Sequence, residues 1–347
     1  MPSGTFTLEQ SHAIRRDGYV VLPGIVPVQQ VRAAQRLIYQ SLGRQSYAYQ
    51  AMQKPPTDAD LARIERAERI AAAASFDPAM LALMNDSPLT QVLEHSMGAA
   101  MLPVRGAQIA TLFPSAANDR VNESGYRDRD TPFYGWHGHL DGLWNGATAM
   151  HQQIDAPMTR AAFAEWNAER GVNGQPKCYP ELGANIANFT ALVGIALSDQ
   201  REEGVGNLAV LAGAHHDLAS FFQAQRDAGG PLGPDGPDWP RLDHAAANGC
   251  GLRHYPDSVR AAFMDRGVRA ANGRLWPRPT QVRLSPGDAV VALHGLPHDS
   301  TRNEGHTPRL MAYYRVTRAT RPQGNELVYP DALCDPWIEW TGLRLNS

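Results

Sequence analysis

Lysine is almost missing from this chain. Lys54 and Lys177 are its only two, and arginine supplies nearly all the positive charge, a bias of base composition that carries no functional reading. Net basicity is absent as well. The formal charge of −3 at pH 7 leaves no electrostatic footprint for nucleic acid or an anionic membrane. Cysteine is scarce: Cys178, Cys250 and Cys334 lie far apart and form no C-x-x-C pair. That argues against a structural zinc or a disulfide framework and fits a reducing compartment. No apolar run approaches the ~18 residues of a membrane span, and the opening MPSGTFTLEQSHAIRRDG has no apolar core for export. A soluble, cytoplasmic protein is expected. Internal repeats and nucleotide-binding glycine loops are also absent.

What is present is enough apolar material for a sizeable core, 43% of 347 residues. One domain over 1–347 is expected, mainly β with helical flanks. The N-terminal part, about 1–103, reads as mostly helical. Helices are expected over Thr7–Asp17 (capped by Thr7 or Ser11), Val26–Leu42, Asp58–Ala74, Pro78–Met84 and Pro88–Met97, with a short β-run at Gly18–Gly24.

From Val104 the pattern becomes short strands punctuated by Gly and Pro, as in an all-β sandwich or barrel over about 104–320. The expected strands are Ala107–Phe113, Thr131–Asp141, Asn188–Leu197, Asn207–Leu211 and Val282–Leu284. Insertions at about 142–187 and 217–279 interrupt them. They carry helical pieces at Thr159–Arg170 and Asp217–Asp227, a Gly/Pro-rich run at Gly229–Pro240, and Trp166, Tyr179, Trp239, Tyr255 and Trp276, which imply packed structure. Loops this long in a compact domain are usually lids or binding loops.

The chemistry concentrates in SPGDAVVALHGLPHDSTRNEGHTPRLMAYYRV, Ser285 to Val316. A turn at Pro286-Gly287-Asp288 leads into a strand at Ala289–Leu293. A polar segment with His294, His298, Ser300 and Asn303 follows, then a strand at Arg309–Val316. The two strands are expected to form a hairpin-like pair that presents His298 and Arg309 to one cavity. Imidazole is a metal ligand, and guanidinium grips carboxylates with two parallel hydrogen bonds. Upstream, Trp136-His137-Gly138-His139-Leu140-Asp141 sets His137, His139 and Asp141 at alternate positions, which share one face in a strand. Two imidazoles and one carboxylate leave three positions of a metal open, the arrangement of non-haem Fe(II) oxygenases. His294 and His298 compete for the distal ligand. His215 and His216 are expected in a turn, as surface or hydrogen-bonded residues. Asn303 should order the loop after His298, and Asp288 its turn.

DGYVVLPGIV, WHGHLD, VGIALSDQREEGVGNLAVLAGAHH and GDAVVALHGLPHDSTRNEGHTPR, in this order over roughly residues 17–317, resemble the phytanoyl-CoA dioxygenase-like family of Fe(II)/2-oxoglutarate-dependent oxygenases. The resemblance implies a double-stranded β-helix, a cupin-like jelly roll with N-terminal helices, the two insertions being unmatched. It implies His139, Asp141 and His298 as metal ligands, since Ser300 and Arg309 fall into register only with His298. Arg309 and Ser300 would hold the far carboxylate of 2-oxoglutarate, with Gln108 as a further polar contact. Apart from the resemblance, His137 is one ligand too many in its row and is read as supporting the site or facing a small-molecule substrate. Trp136 and Trp144 flank the ligand strand as packing residues or as lining of the substrate pocket.

The cofactors implied are Fe(II), with 2-oxoglutarate and O2 as cosubstrates. The activity implied is oxidation of a C–H bond, most simply hydroxylation, with release of succinate and CO2. The intact carboxylate at Asp141 argues against halogenation. Two departures, the long Asp141–His298 segment and Leu140 in place of a polar residue, bear on the substrate. The alternative is a cupin-like metal-binding protein that is non-catalytic or hydrolytic.

Overall fold

The computed structural model describes residues 4–44, 74–114, 138–142, 180–240, 253–269, 275–322 and 327–343. The described chain opens with α1 (Leu8–Asp17), fixed at its start by a reciprocal cap. Thr7 Oγ1 accepts from the Gln10 N–H at 3.1 Å and Gln10 Oε1 accepts from the Thr7 N–H at 2.8 Å. Gly18, at φ +79°, ends the helix and turns the chain into β1 (Tyr19–Leu22). Then come α2 (Val28–Arg44), α3 (Pro78–Asn85) and α4 (Pro88–Met97), the last two capped by Asp77 and Ser87 with proline in the first turn. After β2 (Gln108–Leu112), β3 (Ala191–Ala196) and β4 (Leu208–Val210) follow α5 (Ala214–Asp227) and α6 (Asp257–Ala261). The remainder is β5 (Val268–Arg269), β6 (Leu275–Trp276), β7 (Thr280–Gln281), β8 (Ala289–Leu293), β9 (His298–Ser300), β10 (Arg309–Val316) and α7 (Pro330–Cys334). No described helix is long and apolar enough to cross a membrane.

The strands form antiparallel sheets: a five-stranded one in the order β1-β8-β3-β10-β2, a three-stranded one in the order β7-β4-β9, and the small β5-β6 pair. Side chains alternate between the faces of a strand, so β3, β8 and β10 each serve two cores. Val193, Val291, Leu310, Ala312 and Tyr314 pack on one face against Ile14, Val31, Leu83 and Leu93 of the N-terminal helices. Leu192, Val290, Ala292, Met311 and Tyr313 pack on the other against Leu208, Val210 and Leu284, so the two larger sheets face each other. A third cluster lies behind β4, where Ala209 and Leu211 meet Leu218 and Phe222 of α5 and the buried Trp239 and Tyr255.

Most expected elements are present within a residue or two, and three are not as read. The strands of the Ser285–Val316 stretch do not pair with each other: β8 and β10 both flank β3, and β9 between them crosses to pair with β4. Alternation in a sequence identifies a strand without naming its neighbour, and the connection here is long enough to reach the other sheet. His215 and His216 stand in the first turn of α5, not in a turn before it. Val282–Leu284 is not a strand; β7 precedes it and Leu284 makes an isolated bridge to Gln200. Of Thr131–Asp141, only Gly138 onward is described. There His139 makes a single bridge, bracketed by Gly138 at φ +73° and Gly142 at φ +93°. The helices read at Asp58–Ala74 (apart from Ala74) and Thr159–Arg170 lie outside the described residues, as do Trp166, Tyr179, Cys178 and Cys250.

Candidate metal centre

His139 and His298 form a hydrogen-bonded antiparallel pair. Each N–H donates to the other's carbonyl at 3.0 Å, which sets the two side chains side by side with ring centroids 4.7 Å apart. β9 holds one member because β4 fixes its register, Val210 opposite His298 and Leu208 opposite Ser300. Asp141 follows through a tight turn. Gly142 must lack a side chain, since a Cβ there would lie 2.3 Å from the Ala187 carbonyl oxygen. Leu140 between the ligand candidates points away, fully buried in the cluster behind β4.

Asp141 Oδ1 is 3.8 Å from His139 Nε2 and 4.0 Å from His298 Nε2. One atom from each of the three residues falls within 4.8 Å of the others, a spacing that could hold a metal ion. The side chains of Asp141 and His298 are 2% and 8% exposed, so water competes little for this position. Both imidazoles turn Nε2 inward and Nδ1 outward. His298 Nδ1 donates to the Leu296 carbonyl at 2.9 Å, and His139 Nδ1 faces Asp299 Oδ2 at 3.9 Å. For His298 the carbonyl acceptor keeps the proton on Nδ1 and leaves the Nε2 lone pair for a metal; the His139–Asp299 distance is too long for a hydrogen bond.

Asp141 is held on three sides. Its Oδ2 accepts from Arg315 Nε at 2.8 Å, and its backbone carbonyl accepts from His294 Nε2 at 3.0 Å. The Leu140 N–H donates to His254 O at 3.3 Å. Burial alone would raise the Asp141 pKa, but the Arg315 charge and the two histidines hold it far below the usual carboxylate range. The group is an anion throughout the physiological range. Burial lowers His294 to about 4, so it is neutral, and its Nε2–H is engaged by the Asp141 carbonyl, not turned to the triad.

Four residues of β10 face the space between the sheets: Arg309, Met311, Tyr313 and Arg315. Arg309 is 4% exposed. Its Nη1 donates to the Ala110 carbonyl at 3.3 Å, and its buried Nε has no hydrogen-bond partner among the described residues. Ser300 lies two residues beyond His298 on the same side of β9. Gln108 pairs with Tyr313 across β2 and β10, and its Oε1 accepts from Arg315 Nη1 at 3.1 Å. Asn303 donates to the carbonyls of Leu112 and Thr307 at 2.9 and 2.8 Å and so orders its loop. Asp288 accepts from Gly24 and Ser285 N–H groups, each at 2.7 Å, and closes its turn. His215 is buried, with a hydrogen bond at 3.0 Å to the Arg15 carbonyl. Trp136, His137 and Trp144 lie outside the described residues.

Arg315 and Asp299 are absent from the sequence reading. A signal for Arg315 existed: it stands an even number of residues after Arg309, and an unbroken strand must aim both the same way. Asp299 carried none, because the residue after a ligand should face away from it.

No family model matches the sequence, and no curated protein matches it. Solved structures do. The non-heme alpha ketoglutarate dependent carbocyclase SnoK from nogalamycin biosynthesis is 13% identical with a TM-score of 0.42, over 90% of this chain and 85% of that one. HygX from Streptomyces hygroscopicus, solved with nickel and 2-oxoglutarate bound, is 12% identical with a TM-score of 0.39, over 91% and 89%. A putative oxidoreductase from Salmonella typhimurium LT2 is 13% identical with a TM-score of 0.44, over 91% and 71%. Likenesses this distant carry no argument about chemistry, which the residues themselves must supply.

Proposed function

We propose that the chain is a single Fe(II)- and 2-oxoglutarate-dependent oxygenase domain, built on a double-stranded β-helix, that hydroxylates a C–H bond of a small molecule. The observation that carries this is the convergence of His139 Nε2, His298 Nε2 and Asp141 Oδ1 from distant parts of the chain. Two imidazoles and a carboxylate on one side of a metal leave the other side for a chelating 2-oxo acid and dioxygen. The facing antiparallel sheets that enclose the triad support the β-helix reading.

The cosubstrate requirement has its own support. Arg309 is a buried cation whose Nε lacks a partner among the described residues, as a dicarboxylate anchor would be before its ligand arrives. Arg309, joined by the Ser300 hydroxyl, would bind the far carboxylate of 2-oxoglutarate. His139, Asp141 and His298 would hold the iron. With them bound, iron and 2-oxoglutarate supply the oxidation by O2, yielding succinate and CO2. The chain's own contribution is positional. The Nδ1 hydrogen bond of His298 holds that imidazole in the tautomer that offers Nε2, and Leu208, Val210, Leu284 and Met311 pack between the two sheets.

The test is anaerobic addition of Fe(II) and 2-oxoglutarate to the metal-free protein, followed by air. A weak visible charge-transfer absorption and then succinate are expected. His298→Ala should lose both. Arg309→Met should keep metal binding but weaken 2-oxoglutarate about tenfold or more, as expected for a lost charge-assisted hydrogen bond. Metal binding without any effect of 2-oxoglutarate would favour a cupin-like metal protein of another chemistry and overturn the proposal.

A further inference from the structure

The geometry points to Arg315 as the residue that holds Asp141 to one metal-facing oxygen and so sets how many positions of the metal stay open. This inference rests on the metal-centre reading above. A carboxylate beside a metal can coordinate through one oxygen or both, and the second mode would use up a position that a chelating cosubstrate or dioxygen needs. In this chain the two oxygens of Asp141 have separate surroundings. Oδ1 faces the Nε2 atoms of His139 and His298 at 3.8 and 4.0 Å. Oδ2 receives the Nε–H of Arg315 at 2.8 Å. Turning the carboxylate to offer both oxygens would break that bond.

The arginine is itself held. Its Nη1 donates to Gln108 Oε1 at 3.1 Å, and its guanidinium carbon sits 5.9 Å from the centre of the Phe189 ring. The same Phe189 meets His294 edge-on with centroids 4.9 Å apart, and His294 grips the Asp141 backbone. Asp141 is therefore fixed by its backbone on one side and by Oδ2 on the other, with Oδ1 turned toward the two imidazole Nε2 atoms. Among the described residues Arg315 contacts Asp141, Gln108 and Phe189 and neither ligand imidazole, so its role is positioning. At 41% side-chain exposure it can also be changed without opening the core.

Water-proton relaxation by bound Mn(II) counts exchangeable waters on the metal and tests this directly, without turnover. Wild type should show the waters of three open positions. Arg315→Met should show two, a relaxivity lower by about a third. Arg315→Lys, which can still donate to Oδ2, should recover much of the difference, an outcome a general loss of packing would not produce. Equal water counts for wild type and Arg315→Met, with both binding Mn(II), would overturn the Arg315 role and leave the metal centre standing. Mn(II) binding that is equal in wild type and Asp141→Ala would instead remove the metal centre itself. Circular dichroism of each variant checks that the fold is kept.

Discussion

His294 and Asp141, far apart in the chain, are joined by a 3.0 Å hydrogen bond from the His294 Nε2–H to the Asp141 carbonyl oxygen. The bond runs from the residue just after β8 to the turn that carries the carboxylate, so the central sheet holds the ligand turn directly. His294→Leu leaves a carbonyl without its donor, a loss of about 1–3 kcal/mol for a buried group. Mn(II) affinity measured by calorimetry should fall about tenfold or more, and His294→Gln, which can still donate, should recover part of it. Affinities equal to wild type in His294→Leu would mean the turn is positioned by its other contacts alone.

Gly194 and Tyr313 stand directly opposite each other on β3 and β10. A Cβ at Gly194 would lie 2.7 Å from Tyr313 Cε1 and 2.9 Å from Met311 Cε, closer than a ring edge can yield. Gly194→Val should therefore destabilise the protein by about 1–3 kcal/mol, in the range of core overpacking, and lower its denaturation midpoint. In a double-mutant cycle, Tyr313→Ala should absorb much of that cost, because the clash needs both partners. Additive losses would show that the ring is free to move aside.

Three histidines set the acid limit of the metal-free protein. Burial lowers His215, with help from His216, and likewise His254 and His294, each to about 4 from an ordinary 6.5. Their folded forms bind protons less readily than the unfolded chain, so their contribution is whole above about pH 6.5 and is lost as pH falls toward 4. Urea midpoints, taken in chelator, should drop between pH 6.5 and 4.5, well above the range where Asp141 would protonate. His215→Gln should flatten the slope. A midpoint constant across that interval would sink the assignment.

The strands of the distal stretch could be read almost to the residue, because Ala289–Leu293 and Arg309–Val316 are apolar runs bounded by turn residues. Their partners could not. Sheet order depends on which strand fills the gap, and β3 comes from nearly a hundred residues upstream of β8. The ligand candidates His139, Asp141 and His298 were legible as residue types at suggestive spacing, and the structure brings them together. Their means of convergence was not legible. In place of a strand with alternating ligands, one bridging residue and a glycine-dependent turn do the work. Gln108, read as a cosubstrate contact, meets Arg315 here. That contact exists only because register sets β2 beside β10, and a lone sequence contains no register.

The strand order of the larger sheet also has a consequence for biosynthesis. Among the described strands, β1, at Tyr19–Leu22, pairs only with β8, which begins at Ala289, and β8 has β3 on its other side. As the polypeptide leaves the ribosome, β1 must wait for about 270 further residues before β8 can pair with it. Such late, non-local pairing is slow and leaves strand edges open meanwhile.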